Sequence, residues 1–161
     1  MAVDIFLKLT NNIAGEAQDH KHKDEIDVLA WSWGASQSGT MHVGGGGGSG
    51  KANFQDLSIT KYLDKSSPLL LQACAKGTHI DQCDLVVRKA GDKPLEYMKI
   101  TMKECLVSSY STGGSGSEDR LTEHVSLNFA EFKVVYTTQK PDGTAGGEVP
   151  FGWSIQKNTS A

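Results

Sequence analysis

The sequence is poor in several residue types that mark specialised classes of protein. Its 161 residues include three cysteines and four prolines, and the net charge at pH 7 is −3. Three cysteines without metal-like spacing predict free, mostly buried thiols in a reducing compartment, not a disulfide framework. The weak, interspersed charge forms no basic stripe, so we expect no nucleic-acid partner and no polybasic attachment to a membrane.

Long apolar runs are also absent. Asp4 and Lys8 interrupt the apolar residues near the N-terminus, which therefore does not fit a secretory signal peptide. No other window is long and apolar enough to cross a bilayer as a helix. We therefore expect synthesis into the cytoplasm, no cleaved signal peptide and no direct membrane insertion. A single domain spanning residues 1–161 is the simplest organisation for this length.

Glycine, in contrast, is abundant, and residues 44–48 are five glycines in succession, followed by Ser49, Gly50 and Lys51. Residues 45–51 nearly match a phosphate-binding loop, but Ala52 stands where a Ser or Thr hydroxyl would bind magnesium. Such a loop opens a helix, whereas residues 52–62 alternate with period two and predict a strand. Consecutive glycines also lose much backbone entropy on ordering. We therefore predict an extended glycine-rich loop between two strands.

Apolar residues recur at every second position through most of the chain, which predicts β-strands. The predicted strands cover residues 3–9, 26–33, 52–62, 82–89, 95–110, 122–138 and about 151–155. The apolar parity changes between Phe129 and Phe132, which predicts a β-bulge near Ala130 or Glu131. Long hairpins of this kind predict a mainly β fold, an antiparallel β-barrel of about eight strands.

One segment, at about residues 67–76, has the features of an α-helix. Ser67 suits the N-cap, Pro68 the first helical position, and Gly77 the residue after the helix. The helix is expected to lie against the barrel.

No group of residues forms a convincing catalytic or metal site. Cys105 and His124 could form a nucleophile and base, but no orienting residue and no oxyanion loop accompany them. Residues 111–116 could be read as a nucleotide-binding loop, but they lie in a β-hairpin and open no helix. His20 and His22 lie on one side of an extended chain but have no third ligand nearby, so surface loop histidines are expected. The sequence thus predicts no enzyme activity, no cofactor and no metal.

With these features laid out, the chain resembles the haemolysin-coregulated protein (Hcp) family, the tube subunit of bacterial type VI secretion. The resemblance covers essentially the whole chain. It rests on the following segments taken in order: 25–34 (EIDVLAWSWG), 36–39 (SQSG), the glycine run, 56–68 (DLSITKYLDKSSP), 111–122 and 127–130 (LNFA).

The resemblance implies a β-barrel with one helix that forms a homo-hexamer. Stacked rings would build the injected inner tube, with a VgrG spike at its tip and a contractile sheath around it. Small effector proteins would be bound and protected in the ring lumen. The protein would stay in the cytoplasm before firing and then be secreted by the same system.

The resemblance also assigns candidate sites. The ring-stacking loop comprises Ser38, Gly39, Met41, His42, Gly44, Gly45, Gly46, Gly47, Gly48 and Lys51. Gly91, Asp92 and Gln156 are expected on the axial faces. Ser32, on the strand that resembles the lumen-lining one, is expected to contact effectors. Glu118, Asp119 and Arg120 are candidate charges at the subunit interface, with a solvated turn as the alternative.

Two other functions stay open at this point. One is a hydrolase or nucleotide-binding enzyme built around the glycine run, and the other is a soluble carbohydrate- or ligand-binding β-barrel. Electron microscopy of the purified protein distinguishes both from a tube subunit, because only the tube subunit would form rings.

Overall fold

The computed structural model describes residues 3–39 and 51–161, so the glycine run lies outside the described residues. These residues form eleven strands and one helix. In chain order they are β1 (Val3–Leu9), β2 (Ile26–Asp27), β3 (Ala30–Ser32), β4 (Ala35–Gln37), β5 (Ala52–Phe54), β6 (Leu57–Tyr62), α1 (Ser67–Lys76), β7 (Ile80–Lys89), β8 (Leu95–Gly113), β9 (Thr122–Gln139), β10 (Ala145–Ser154) and β11 (Thr159–Ser160). The predicted mainly β fold with one short helix is confirmed.

Nine strands form one antiparallel sheet, with the pairing order β11–β10–β9–β8–β7–β1–β2, and β6 pairs with both β9 and β3. Residues 26–32 link β1 to β6, which do not pair with each other, because β2 pairs with β1 and β3 pairs with β6. Between them, the amide of Val28 donates to the carbonyl of Ile5, and the amide of Leu29 donates to that of Thr60. The strands therefore surround one core.

The core forms because alternate residues of each strand point inward. Leu7, Leu85 and Ile100 lie opposite one another on β1, β7 and β8 and are 0%, 0% and 1% exposed. Leu70 and Ala73 of α1 pack against the same cluster. The apolar residues at every second position of these strands therefore form the buried face, as the sequence predicts.

The helix occupies the predicted residues, but its N-cap is Ser66, not Ser67. Ser67 is the first helical residue, and its hydroxyl donates to the carboxylate of Glu123 at 2.8 Å. Gly77 ends the helix in the left-handed region at φ 62°, where glycine is favoured. Ser67 therefore does not cap the helix, because its hydroxyl binds Glu123, a partner that is distant in sequence.

The bulge predicted near Ala130 or Glu131 is wrong. The pairing of β8 with β9 keeps one register on both sides of Ala130, and it shifts only between Val107 and Ser109 of β8. The buried face changes parity on both strands together, at Ala130 and at Glu104, which has φ 57°. Neither strand has an extra residue relative to the other at this point, so this is not a β-bulge. We call the matching change of parity in β8 and β9 a paired kink.

Two predicted strands are each divided in the structure. Residues 26–33 split into β2 and β3, and residues 52–62 split into β5 and β6. The segment at Ala35–Gln37, which was not predicted as a strand, pairs with β5 in a separate two-stranded ribbon. Within the described part of the chain, no helix has the length and apolar character needed to cross a membrane.

Candidate functional site

The first candidate surface is the ribbon of β4 and β5. Its register pairs Ala35 with Phe54 and Gln37 with Ala52, so the chain leaves and re-enters the ribbon at adjacent positions. The stacking-loop candidates Ser38, Gly39 and Lys51 are exposed at its end. Met41, His42 and the glycines at 44–48 lie outside the described residues.

The base of the ribbon is attached to the barrel by specific contacts. The indole of Trp33 donates to the carbonyl of Gln55 at 2.9 Å, and the amide of Gln55 donates to the carbonyl of Gly34 at 2.9 Å. The ring of Phe54 packs on that of Phe132 with centroids 4.9 Å apart. The segment between the ribbon strands therefore starts from an anchored base.

The second candidate surface contains Ser32 and is made almost entirely of hydroxyl groups. Ser32 lies opposite Ser58 of β6, Ser58 opposite Ser126 of β9, and Ser126 opposite Ser109 of β8. The hydroxyls of Ser58 and Ser126 are 3.4 Å apart. A row of four serines thus crosses four adjacent strands.

A second row beside the serines has similar chemistry. Thr60, His124 and Ser111 lie opposite one another, and the hydroxyl of Thr60 is 3.0 Å from Nδ1 of His124. We call the two rows the hydroxyl face: Ser32, Ser58, Thr60, Ser109, Ser111, His124 and Ser126. No Asp, Glu, Lys or Arg belongs to it, so its direct contacts with a partner would be hydrogen bonds.

A buried ionic network lies beneath the hydroxyl face. Lys61 and Glu123 are both 0% exposed, and they form an ion pair. The ammonium of Lys61 also donates to Asp64 at 3.0 Å, and the phenol of Tyr110 donates to Glu123. Burial, followed by the bond to Glu123, raises the pKa of Tyr110 to about 12. Because these buried charges are paired and hydrogen-bonded, the network offsets the cost of burying them, and loss of one partner would leave a buried charge unbalanced.

The axial candidates lie far apart. Gly91 and Asp92 are exposed in the turn between β7 and β8, next to the start of β8. Gln156 follows β10, and its amide approaches the carbonyl of Ala130. Ala130 lies beside Glu104, nine residues from the start of β8, which corresponds to roughly 30 Å along an extended strand. The structure therefore places Gly91 and Asp92 just before the start of β8, and it places Gln156 beside the middle of that strand.

The interface candidates belong to the loop between β8 and β9. Glu118 accepts a hydrogen bond from the amide of Ser115, within the loop itself. The guanidinium of Arg120 lies 3.9 Å from the ring centre of Tyr62, a cation–π contact inside the chain. Asp119 is exposed.

A depression of about 450 Å³ opens beside Arg120 and is lined by Glu16, Asp27, Leu29, Tyr62, Asp64 and Arg120. Burial, followed by the charges of Asp64 and Asp4, raises the pKa of the Asp27 carboxyl. Three carboxylates therefore line this depression with the guanidinium of Arg120, and one of them, Asp64, also binds Lys61.

His22 is not a surface histidine as predicted, since it is only 7% exposed. Its ring stacks on Phe6, its Nδ1 is 3.0 Å from Glu25, and its Nε2 is 2.7 Å from Glu96. His20 is exposed. His22 thus holds the segment before β2 against the barrel, and no metal cluster occurs among the residues that the structure describes.

Cys105 and His124 do not form a catalytic pair. Cys105 is buried in the core next to Cys83, whereas His124 belongs to the exposed hydroxyl face. Hydrogen bonding with Cys105, followed by burial, raises the pKa of the Cys83 thiol far above its usual range. All three cysteines are free, and these two have the character of packed core residues.

Comparisons with known proteins agree on one family. A family model described as "Type VI secretion system effector, Hcp" matches residues 6–136. Protein hcp1 of Pseudomonas aeruginosa is 60% identical over 163 residues, covering 100% of both chains. Hcp1 from Salmonella typhimurium has a solved structure that is 41% identical, covers 100% of both chains and has a TM-score of 0.84. The chain belongs to the Hcp family.

A further solved structure, described as a type six secretion system protein, is 35% identical and covers 99% of this chain and 100% of the other. Its TM-score is 0.92, so the Hcp fold extends over the described strands and helix. The family places the chain among the effector and tube proteins of type VI secretion, which is a structural and secreted class.

Sequence reasoning found one residue of the hydroxyl face, Ser32, and missed the rest. The signal was present as small hydroxyl residues at alternate positions, in the stretches Ser58–Thr60 and Ser109–Ser111. Such residues also occur on ordinary solvated strands, so their spacing alone does not show that they share one surface. Strand pairing brings them together.

Proposed function

We propose that this Hcp-family chain is a tube subunit whose hexameric rings stack into the inner tube of a type VI secretion system. The observation that carries the proposal is the ribbon of β4 and β5. It stands apart from the main sheet, and its exposed end bears the two termini of the segment between Ser38 and Lys51. Stacking needs an axial contact that repeats without closing, and an anchored ribbon can present a loop for that contact.

Two further features support the same function. Gly91 and Asp92 lie just before the start of β8, and Gln156 lies near Ala130, roughly 30 Å away along that strand, so one chain offers two separate places for axial contact. Ser32 belongs to a hydroxyl face without formal charge, which suits reversible contact with small effectors in a lumen. When an effector leaves, water takes over its hydrogen bonds to this face, so breaking each contact costs little free energy.

The proposal includes partners and a route. Rings of this chain would stack on one another and associate with a VgrG spike, a sheath and small effectors. The chain would lie in the cytoplasm before firing and leave by the secretion system itself. Glu118 and Asp119 are exposed and remain candidates for ring contacts, while Arg120 is already engaged with Tyr62.

The test is deletion of residues 44–48. We expect the variant to fold and form rings but to lose tube stacking and secretion, since the deletion removes loop residues and leaves the ribbon strands. Circular dichroism, negative-stain microscopy and a secretion assay measure the three properties. The control replaces the same five residues with Gly-Ser repeats of equal length. If the deletion lowers the melting temperature strongly, the loop belongs to the folded core and its stacking role is wrong.

A further inference from the structure

An apolar stripe leaves the core along β9 and β10 and becomes exposed. Phe132 is 2% exposed, whereas Tyr136, four residues later, is 45% exposed. On β10, Val149 lies opposite Tyr136 and is 63% exposed, and Phe151 is 50% exposed. These side chains continue the inward-facing row of the barrel, but the described chain does not cover them. Exposed apolar side chains that are contiguous mark an interaction surface.

The same region carries an open strand edge. Among the described residues, β11 pairs with β10 at Trp153 and Ser154, and the amide of Ala161 donates to the carbonyl of Gly152, so residues 145–151 pair on one side, with β9. Unpaired backbone groups beside apolar side chains are an incomplete surface that a partner chain can complete. We call the exposed and half-buried apolar side chains of this region the arm patch: Val3, Leu95, Tyr97, Tyr136, Val149 and Phe151.

A second apolar surface lies at the other end of β9. Leu29, Leu63 and Leu121 are 47%, 38% and 41% exposed. The amide of Leu63 donates to the carbonyl of Leu121 at 3.0 Å, so these two residues are neighbours. Leu29 also lines the depression that contains Asp27 and Arg120. We call Leu29, Leu63, Leu121 and that depression the acceptor pocket.

The two surfaces are complementary in charge. A cavity of about 260 Å³ lies in the arm patch, and among the described residues that line it Lys89 is the one with a formal charge. The acceptor pocket contains Glu16, Asp27 and the guanidinium of Arg120, together with Asp64, which also binds the buried ammonium of Lys61. A lysine from another chain would reduce the repulsion among these carboxylates. Apolar contact combined with opposite charges favours one register of docking.

From these observations we infer that the arm patch of one copy docks into the acceptor pocket of the next copy. The contact joins two different surfaces, so it is heterologous, and copies related by a closing rotation form a ring. The inference rests on the proposed function and assigns the surfaces through which the ring closes. Neither surface includes the ribbon of β4 and β5, which stays free for stacking.

The experiment breaks each surface separately. Val149→Asp with Phe151→Asp disables the arm patch, and Asp27→Lys with Leu29→Lys disables the acceptor pocket. All four positions are exposed, so we expect both double variants to fold. By size-exclusion chromatography with light scattering, wild type should form rings and each double variant alone should be monomeric. An equimolar mixture should give dimers and nothing larger, because one intact arm patch meets one intact pocket.

Lys133→Asp is the matched control, because Lys133 is exposed on the opposite face of β9 and should leave rings intact. A second pair of variants tests the charge without apolar changes. Lys89→Glu and Asp27→Lys should each raise the concentration for half-assembly about fivefold, and their combination should restore it.

The inference is overturned if either double variant forms wild-type rings, if either self-associates into dimers, or if the mixture stays monomeric. It is also overturned if the charge reversals fail to compensate each other. Wild-type protein that never forms rings would instead remove the proposed function. Wild-type rings together with unaffected variants would remove the arm-patch contact alone.

Discussion

The stretches of β9 on either side of Ala130 expose different chemistry to solvent. Before Ala130, the exposed and half-exposed side chains include His124 and Ser126, which belong to the hydroxyl face. After it, the apolar row that begins at Phe132 emerges from the core and ends at Tyr136. Hydroxyl groups are satisfied by water, whereas exposed apolar area costs about 25 cal/mol per Å² relative to burial. The second stretch is therefore the one that gains most from a partner.

The two stretches also differ in what lies beneath them. The first covers the buried Lys61–Glu123 pair, and the second covers the packed rings around Phe132. A buried ion pair therefore adds to the apolar core beneath the first stretch, and aromatic rings add to it beneath the second. Substitutions on the two stretches should therefore differ in cost, in pH dependence and in their effect on assembly.

The largest expected effect follows from removing the buried carboxylate. Glu123→Ala should lower the free energy of unfolding by about 3 kcal/mol, because it leaves Lys61 buried with Asp64 as its remaining carboxylate. Glu131→Ala, in the half-exposed region of the same strand, is the control and should cost less than about 1 kcal/mol. Urea denaturation in dilute solution measures both. Equal losses would mean that the buried network is not what secures the first stretch.

A smaller effect should distinguish the buried and exposed ends of the apolar stripe. Phe132→Leu should lower the free energy of unfolding of the separate chain by about 1 kcal/mol, because Phe132 is packed on all sides. Tyr136→Leu should change it by less than about 0.5 kcal/mol but weaken ring assembly. Chemical denaturation and light scattering give the two quantities. A large loss of folding stability at Tyr136 would show that it belongs to the core.

Alkaline conditions should affect the first stretch through Tyr110. Its pKa in the folded chain is about 12, above the ordinary value of 10.0, so the folded state disfavours its ionisation. The resulting stability is fully present below pH 10.0 and is lost as the pH rises to about 12. Tyr110→Phe should therefore flatten the alkaline limb of the stability curve more than Tyr136→Phe does. Thermal melts between these pH values provide the measurement.

The smallest effect on folding is expected at Ser32. Ser32→Gln should leave stability and rings unchanged, since the side chain is exposed, but lower the recovery of a co-purified effector. Ser38→Gln, at the ribbon, is the matched control and should leave effector recovery unchanged. Mass spectrometry of the purified rings measures the bound effector. Unchanged recovery in Ser32→Gln would remove Ser32 from the contact.

Several local features of the fold could be predicted because they depend on short-range patterns. Alternating apolar residues located β1, β7, β8 and β9, and Pro68 with Gly77 located the helix. The paired kink was misinterpreted as a bulge, since the sequence of β9 shows its own change of parity but not the matching change at Glu104. His22 was placed at the surface because its partners, Phe6 and Glu96, are distant in sequence.

The sequence by itself determined the family, the mainly β fold and the helix, because periodicity and short motifs are properties of neighbouring residues. It also nominated Ser32 and the segment from Ser38 to Lys51. The tertiary structure alone shows that Ser32, Ser58, Ser126 and Ser109 lie in one row. It alone also shows that Val149 and Phe151 are exposed although they lie close to the buried Phe132. Both results depend on which strands pair and where the barrel ends, and those are decided by long-range contacts that no local pattern contains.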